Sequence, residues 1–155
     1  MAFHEALSPE SQRLRFFGFH PHLTVKEVAR FTTLDHHNRE AFLVVAGSEI
    51  WGVGRYDRLD DPTEAEVAFV TRDDHQGCGV ATLLFRELAS AARVAGITTL
   101  LADVLGENSK MRQLFTRTGL VTRRSFDDGV VKITMSLTKG SEQAEEAVEA
   151  EEAGR

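Results

Sequence analysis

The chain has a single cysteine, Cys78, so no internal disulfide can form and a reducing compartment is the default. No apolar run approaches the roughly 20 residues of a membrane span. The N-terminus lacks a signal-peptide pattern, so a cytoplasmic location is expected and a membrane partner is not. No basic patch interleaved with aromatics points to nucleic acid. The net charge of −6 is uneven: residues 139–155 carry −4 and the rest of the chain −2. His36 and His37 are adjacent, point in different directions and lack metal-ligand spacing, so no metal is expected.

What remains is ordinary for one globular domain: 155 residues, 42% hydrophobic and 27% charged. Ser8-Pro9-Glu10-Ser11 starts a helix with an N-cap serine and a proline at the first position. Thr24-Val25-Lys26-Glu27 is a capping box opening a second short helix. Residues 41–46 form an apolar strand, Gly47-Ser48 turns it, and residues 50–56 pair back. Residues 64–70 make a third strand. Val80, Leu83, Leu84, Leu88, Ala91, Ala92 and Ala95 then recur as one face of a long helix.

A buried strand (98–104), a helix (108–118) and a hairpin (121–126 with 130–137) complete the order ααβββαβαββ, without an internal repeat. Residues 1–138 are the expected domain. The Glu/Ala-rich tail, 139–155, has too little to bury and is expected to be disordered.

The stretch Asp74 to Ala81 organises the rest, because its glycines sit where a strand turns into a helix N-terminus. Free backbone N–H groups and the helix dipole there suit an anion, typically phosphate. The dinucleotide pattern G-x-G-x-x-G fails at Thr82, and no Gly-Lys-Ser/Thr follows for a P-loop. Gln-x-x-Gly-x-Ala remains (Gln76, Gly79, Ala81), and a two-glycine loop alone serves equally as a plain turn.

With Glu66-Val67-Ala68-Phe69-Val70 before that loop and Glu107-Asn108-Ser109-Lys110-Met111 after it, residues 8–137 resemble a GCN5-related N-acetyltransferase (GNAT) domain. Leu7 to Ser11, Leu14 to Phe17 and Phe31 to His36 narrow the likeness to bacterial Pat-type protein lysine acetyltransferases. The resemblance implies an α/β fold with a mixed, mostly antiparallel sheet flanked by helices. It implies acetyl-CoA as donor, held by Phe69, Val70, Gln76, Gly77, Cys78, Gly79, Val80, Ala81, Thr82 and Asn108. It gives Glu66 the role of general base in direct transfer to protein lysines.

Three departures accompany it. Met1 to Glu5 is too short and too polar to supply the family's usual first strand, so either the chain has been cut at its N-terminus or that strand is lost. Cys78 replaces a commonly basic or large residue. Phe115 stands where many relatives carry the tyrosine that protonates the leaving thiolate. Two other readings stay open: a small amine or amino acid as acceptor, and an inactive acyl-CoA-binding module. Pairing as a homodimer also stays open.

Overall fold

The computed structural model describes residues 2–138. The proposed tail, 139–155, lies outside the described residues. The elements are α1 (Ala2–Glu5), α2 (Pro9–Phe16), α3 (Val25–Thr32), β1 (Arg39–Ala46), β2 (Glu49–Arg58), β3 (Glu64–Thr71), α4 (Val80–Val94), β4 (Thr99–Leu105), α5 (Ser109–Arg117), β5 (Val121–Asp127) and β6 (Val130–Ser136), with a 3-10 turn at Asp73–His75. The expected order is present, preceded by the one-turn α1. The six strands form one sheet in the order β1-β2-β3-β4-β6-β5. All neighbours are antiparallel except β3 and β4.

Local chemistry sets the boundaries. Ser8 caps α2 by accepting from Ser11 N, and Thr24 and Glu27 form the reciprocal capping box of α3. The β5–β6 hairpin turns on Asp128 and Gly129, both at positive φ, as a two-residue turn matching strand twist requires. β1 is a sheet edge: no described strand lies outside it, and Leu43 and Val45 there are more than half exposed.

Helix α4 packs on β1, β2 and β3 and buries Val80, Leu84, Phe85, Leu88, Ala89 and Ala92. This corrects the sequence reading, which placed Leu83 inside and omitted Phe85 and Ala89. At about 100° per residue the buried stripe centres on Leu88, and Leu83 falls outside it, 41% exposed.

Close approach of α4 to the sheet depends on two glycines of β2. A Cβ on Gly52 would lie 2.6 Å from Val80 Cγ1, and one on Gly54 would lie 2.7 Å from the Phe69 ring and 3.0 Å from Leu88. Gly54→Ala therefore overpacks the core, with an expected loss of about 1–3 kcal/mol in urea unfolding. Unchanged stability would show that α4 is not seated as described.

Candidate functional site

Strands β3 and β4 pair only from Glu64–Thr99 to Glu66–Leu101, although β3 runs on to Thr71 and β4 to Leu105. Beyond that point β3 stays with β2 and β4 with β6, so the two part and open a wedge. Alternation fixes which main-chain groups face it. Leu59 N donates to Glu64 O, and Arg72 N donates to Trp51 O, so the even-numbered residues of β3 bond to β2. The N–H and C=O groups of Val67, Phe69 and Thr71 therefore face the wedge. Those of Val70 face β2.

A cleft of about 360 Å³ adjoins this wedge on the β3 side, lined by β3, the loop at 75–79, the first turn of α4 and one side each of α2 and α5. Gly77 and Gly79 have φ of 77° and 84°, the left-handed region that glycine enters without strain. Gly79 is the N-cap of α4 and provides no side-chain cap, so the first N–H groups of that helix stay available to an anion.

Contacts on both sides hold the loop. Asp73 accepts from Ser8 N (2.9 Å), Ser8 Oγ (2.7 Å) and Ser11 Oγ (2.7 Å), tying α2 to the turn before the glycines. Burial pushes the Asp73 carboxyl up, but these hydrogen bonds outweigh it and hold the group below its usual range. The Gln76 amide donates to Thr71 O and Ser11 Oγ, both at 3.3 Å, and accepts from Lys110 Nζ at 3.2 Å. His75 stacks on Trp51 with ring centroids 3.9 Å apart. Arg13 spans from Glu10 to Glu107 (2.6 Å), joining α2 to the start of α5.

A second cavity, about 250 Å³, lies beyond Phe69 and holds Glu66, Asp103, Phe17 and Phe115 among its walls. The two cavities share Leu14, Arg15, Phe69, Asn108 and Met111. Glu66 is exposed, on the face of β3 opposite the buried Ala65, Val67 and Phe69. No hydrogen bond or ion pair within the described residues occupies its carboxylate. Phe69, Phe85 and Phe115 pack with all three centroid separations at 6.0 Å and close the floor.

Of the residues expected to hold a donor, Phe69, Val70, Gln76, Gly77, Gly79, Val80, Ala81, Thr82 and Asn108 line the first cleft. Cys78 does not: its side chain is exposed and leans on Gln76 O at 3.8 Å. Asn108 caps α5 by accepting from Met111 N at 3.2 Å. Glu66 lies in the second cavity. The sequence reading missed Ser11, Leu14 and Arg15 of α2, as well as Lys110 and Arg117. Lys110, Gln113, Leu114 and Arg117 form the helical face toward the cleft. An i, i+3, i+4, i+7 count on α5 was the available signal. Among the described residues no group of three His, Cys, Asp or Glu could hold a metal ion. No described helix is long and apolar enough to cross a membrane.

The model of the acetyltransferase (GNAT) family matches residues 4–120. The acetyltransferase Pat of Mycolicibacterium smegmatis is 42% identical over 69 residues, 44% of this chain but only 20% of that relative's length. The GNAT domain of S. lividans PAT superposes with a TM-score of 0.82 at 40% identity, covering 87% of this chain and 81% of that one. The yncA protein from Salmonella typhimurium, solved with its cofactor acetyl-CoA, has a TM-score of 0.67 at 16% identity over 79% of each chain. That is a likeness of fold.

Asp73→Asn removes the charge and one of the two acceptor oxygens that secure α2 to the turn before the glycine loop, and should cost about 1 kcal/mol near neutral pH. The folded-state pKa is depressed, so the stabilisation is present above the ordinary carboxylate range and is lost as pH falls through the folded value. Urea midpoints of wild type and variant should therefore differ at pH 7 and converge in acid. Equal midpoints at pH 7 would contradict the tie.

Proposed function

The chain belongs to the GNAT acetyltransferase family, and on that footing we propose that it transfers acetyl groups from acetyl-CoA to lysine side chains of proteins. The observation that carries this reading is the meeting of two cavities at one wall. One is suited to a phosphate-bearing donor, and the other holds a free carboxylate. The donor side fits CoA. The uncapped N-terminus of α4 and the Gly77–Thr82 backbone receive the pyrophosphate, with the positive charges of Lys110 and Arg117 on the facing helix. The wedge-facing main chain of Phe69 and Thr71 pairs with the pantetheine amides as an added strand would.

Glu66 supplies the base. A lysine ammonium with pKa near 10.4 is only about 0.04% neutral at pH 7, so attack requires that its proton be taken. Glu66 and Asp103 give the acceptor cavity two carboxylates that suit an ammonium. The Phe69 N–H faces the place where it can polarise the thioester carbonyl. Binding both partners in adjoining cavities supplies proximity.

A protein acceptor is favoured because Glu66, Asp103 and Phe17 are exposed around the cavity. A lysine projecting from another protein's surface can reach such a mouth. The 40% identity to a PAT GNAT domain agrees with the Pat-type resemblance from which this acceptor class is inferred.

Glu66→Gln should lower kcat by about 10²–10⁴-fold while acetyl-CoA affinity stays within about twofold. CoA release and mass spectrometry of lysine-containing proteins read the first, and calorimetry the second. Wild-type turnover in Glu66→Gln would remove the base assignment. Acetylation of free amines but of no protein would redirect the reading to small acceptors. Donor binding without transfer to any amine would make the chain an acyl-CoA-binding module.

A further inference from the structure

Any group passing from the donor cleft to the acceptor cavity must cross the wall they share: Leu14, Arg15, Phe69, Asn108 and Met111. Arg15 is the one charged side chain in that wall. Among the described residues its guanidinium has no hydrogen bond or ion pair, and its nearest aromatic contact is the Phe16 ring, 4.8 Å away. The neighbouring carboxylates do not neutralise it. Asp57 is taken by Arg55, at 3.1 and 3.2 Å, and by Arg39 at 3.4 Å. Glu66 acts on Arg15 only at longer range, and Arg55 and Arg30 oppose it with like charge. Burial, then Arg55, lowers the Arg15 pKa to about 10, so it remains a cation at neutral pH.

Acyl transfer creates an anion at this wall. The ammonium gives one proton to Glu66 and the neutral nitrogen bonds to the carbonyl carbon. As the adduct collapses the second nitrogen proton passes to solvent water, and the C–S bond breaks with its electron pair left on sulfur. None of the side chains around that point is suited to protonate the sulfur. On α5 the buried Phe115 packs against Phe69 and Phe85. Tyr56, the only tyrosine, lies in the core and donates to His37 O at 3.1 Å. His75 lines the donor cleft alone and is stacked on Trp51.

Resting on the acetyl-CoA reading above, we propose that Arg15 is a further catalytic residue, whose unpaired guanidinium stabilises the departing CoA thiolate by charge. Arg15 keeps its own proton throughout, and the thiolate takes a proton from solvent on release. This explains how an apolar Phe115 is compatible with turnover. A part-buried cation without a carboxylate partner is unfavourable in the resting site and is relieved as negative charge develops beside it.

The thiol of bound CoA reports this directly, through the ultraviolet absorbance of its thiolate as pH is raised. In the wild-type protein the bound thiol should titrate about one unit or more below free CoA, a tenfold shift in the thiolate equilibrium. Arg15→Gln should abolish the shift, and Arg15→Lys should keep part of it. Both variants should bind desulfo-CoA within threefold of wild type, which shows that the site is folded. Acetyl transfer should fall about 10–100-fold in kcat for Arg15→Gln with KM for acetyl-CoA little changed. A bound thiol that titrates like free CoA in the wild type, or a shift that survives in Arg15→Gln, overturns the proposal. A displaced base limb in the pH–rate profile with no change in the thiol overturns it too, making Arg15 a residue that only holds the charge of Glu66. Failure of CoA to bind the wild-type chain refutes the donor reading itself.

Discussion

The parting of β3 from β4 after Glu66 and Leu101 is the constraint on which the rest depends. Each strand remains paired on its other side, β3 with β2 and β4 with β6, so the sheet does not fall apart where it opens. Packing holds the gap. Phe69, Phe85 and Phe115 meet beneath it, and the glycines of β2 let α4 lie close enough to keep Phe85 there. Of the wedge-facing groups, Thr71 O accepts from the Gln76 amide, while the N–H and C=O of Phe69 and the N–H of Thr71 gain no partner strand and require water or a ligand in the gap. A sheet with this defect is built to receive an extended, amide-bearing molecule.

The other parts follow from that opening. Helix α4 starts at its mouth and points an uncapped N-terminus into it. Helix α2, tied down through Asp73, Gln76 and Glu107, walls the same gap from the opposite side. Along the cleft Ser11 lies near the glycine loop, Arg15 at the shared wall, and Phe17, the C-cap of α2, at the second cavity. Glu66 stands at the last position of β3 that pairs with β4, and it lines the second cavity. Two carboxylates, Glu66 and Asp103, and one cation, Arg15, thus occupy different places around the second cavity, where the transfer is proposed.

Much of this was legible in the sequence because it is local. Caps at Ser8 and Thr24, the Asp128-Gly129 turn and the glycines after β3 each satisfy a requirement within a few residues. The alternation that placed Glu66 away from Val67 and Phe69 is likewise a property of one strand. The wedge was not legible, because it is a failure of pairing between strands separated by a whole helix, and no local pattern encodes it. For the same reason α2 did not declare itself as a wall: its contact with the glycine loop spans more than sixty residues of sequence. Leu83 misled because leucine marks a buried position on average, while the direction of the stripe is decided by Phe85, Ala89 and the glycines opposite. Cys78 holds its place in the loop without entering the cleft, and nothing in the structure explains the choice of cysteine there.

Amide hydrogen exchange resolved at β3, with and without acetyl-CoA, tests the central claim most directly. The account predicts that Phe69 and Thr71 slow on binding, because their amides face the wedge. Ala68 and Val70, already bonded to β2, should change little. Exchange at Phe69 and Thr71 that is unaffected by saturating acetyl-CoA, or protection spread equally over both sets, would contradict it.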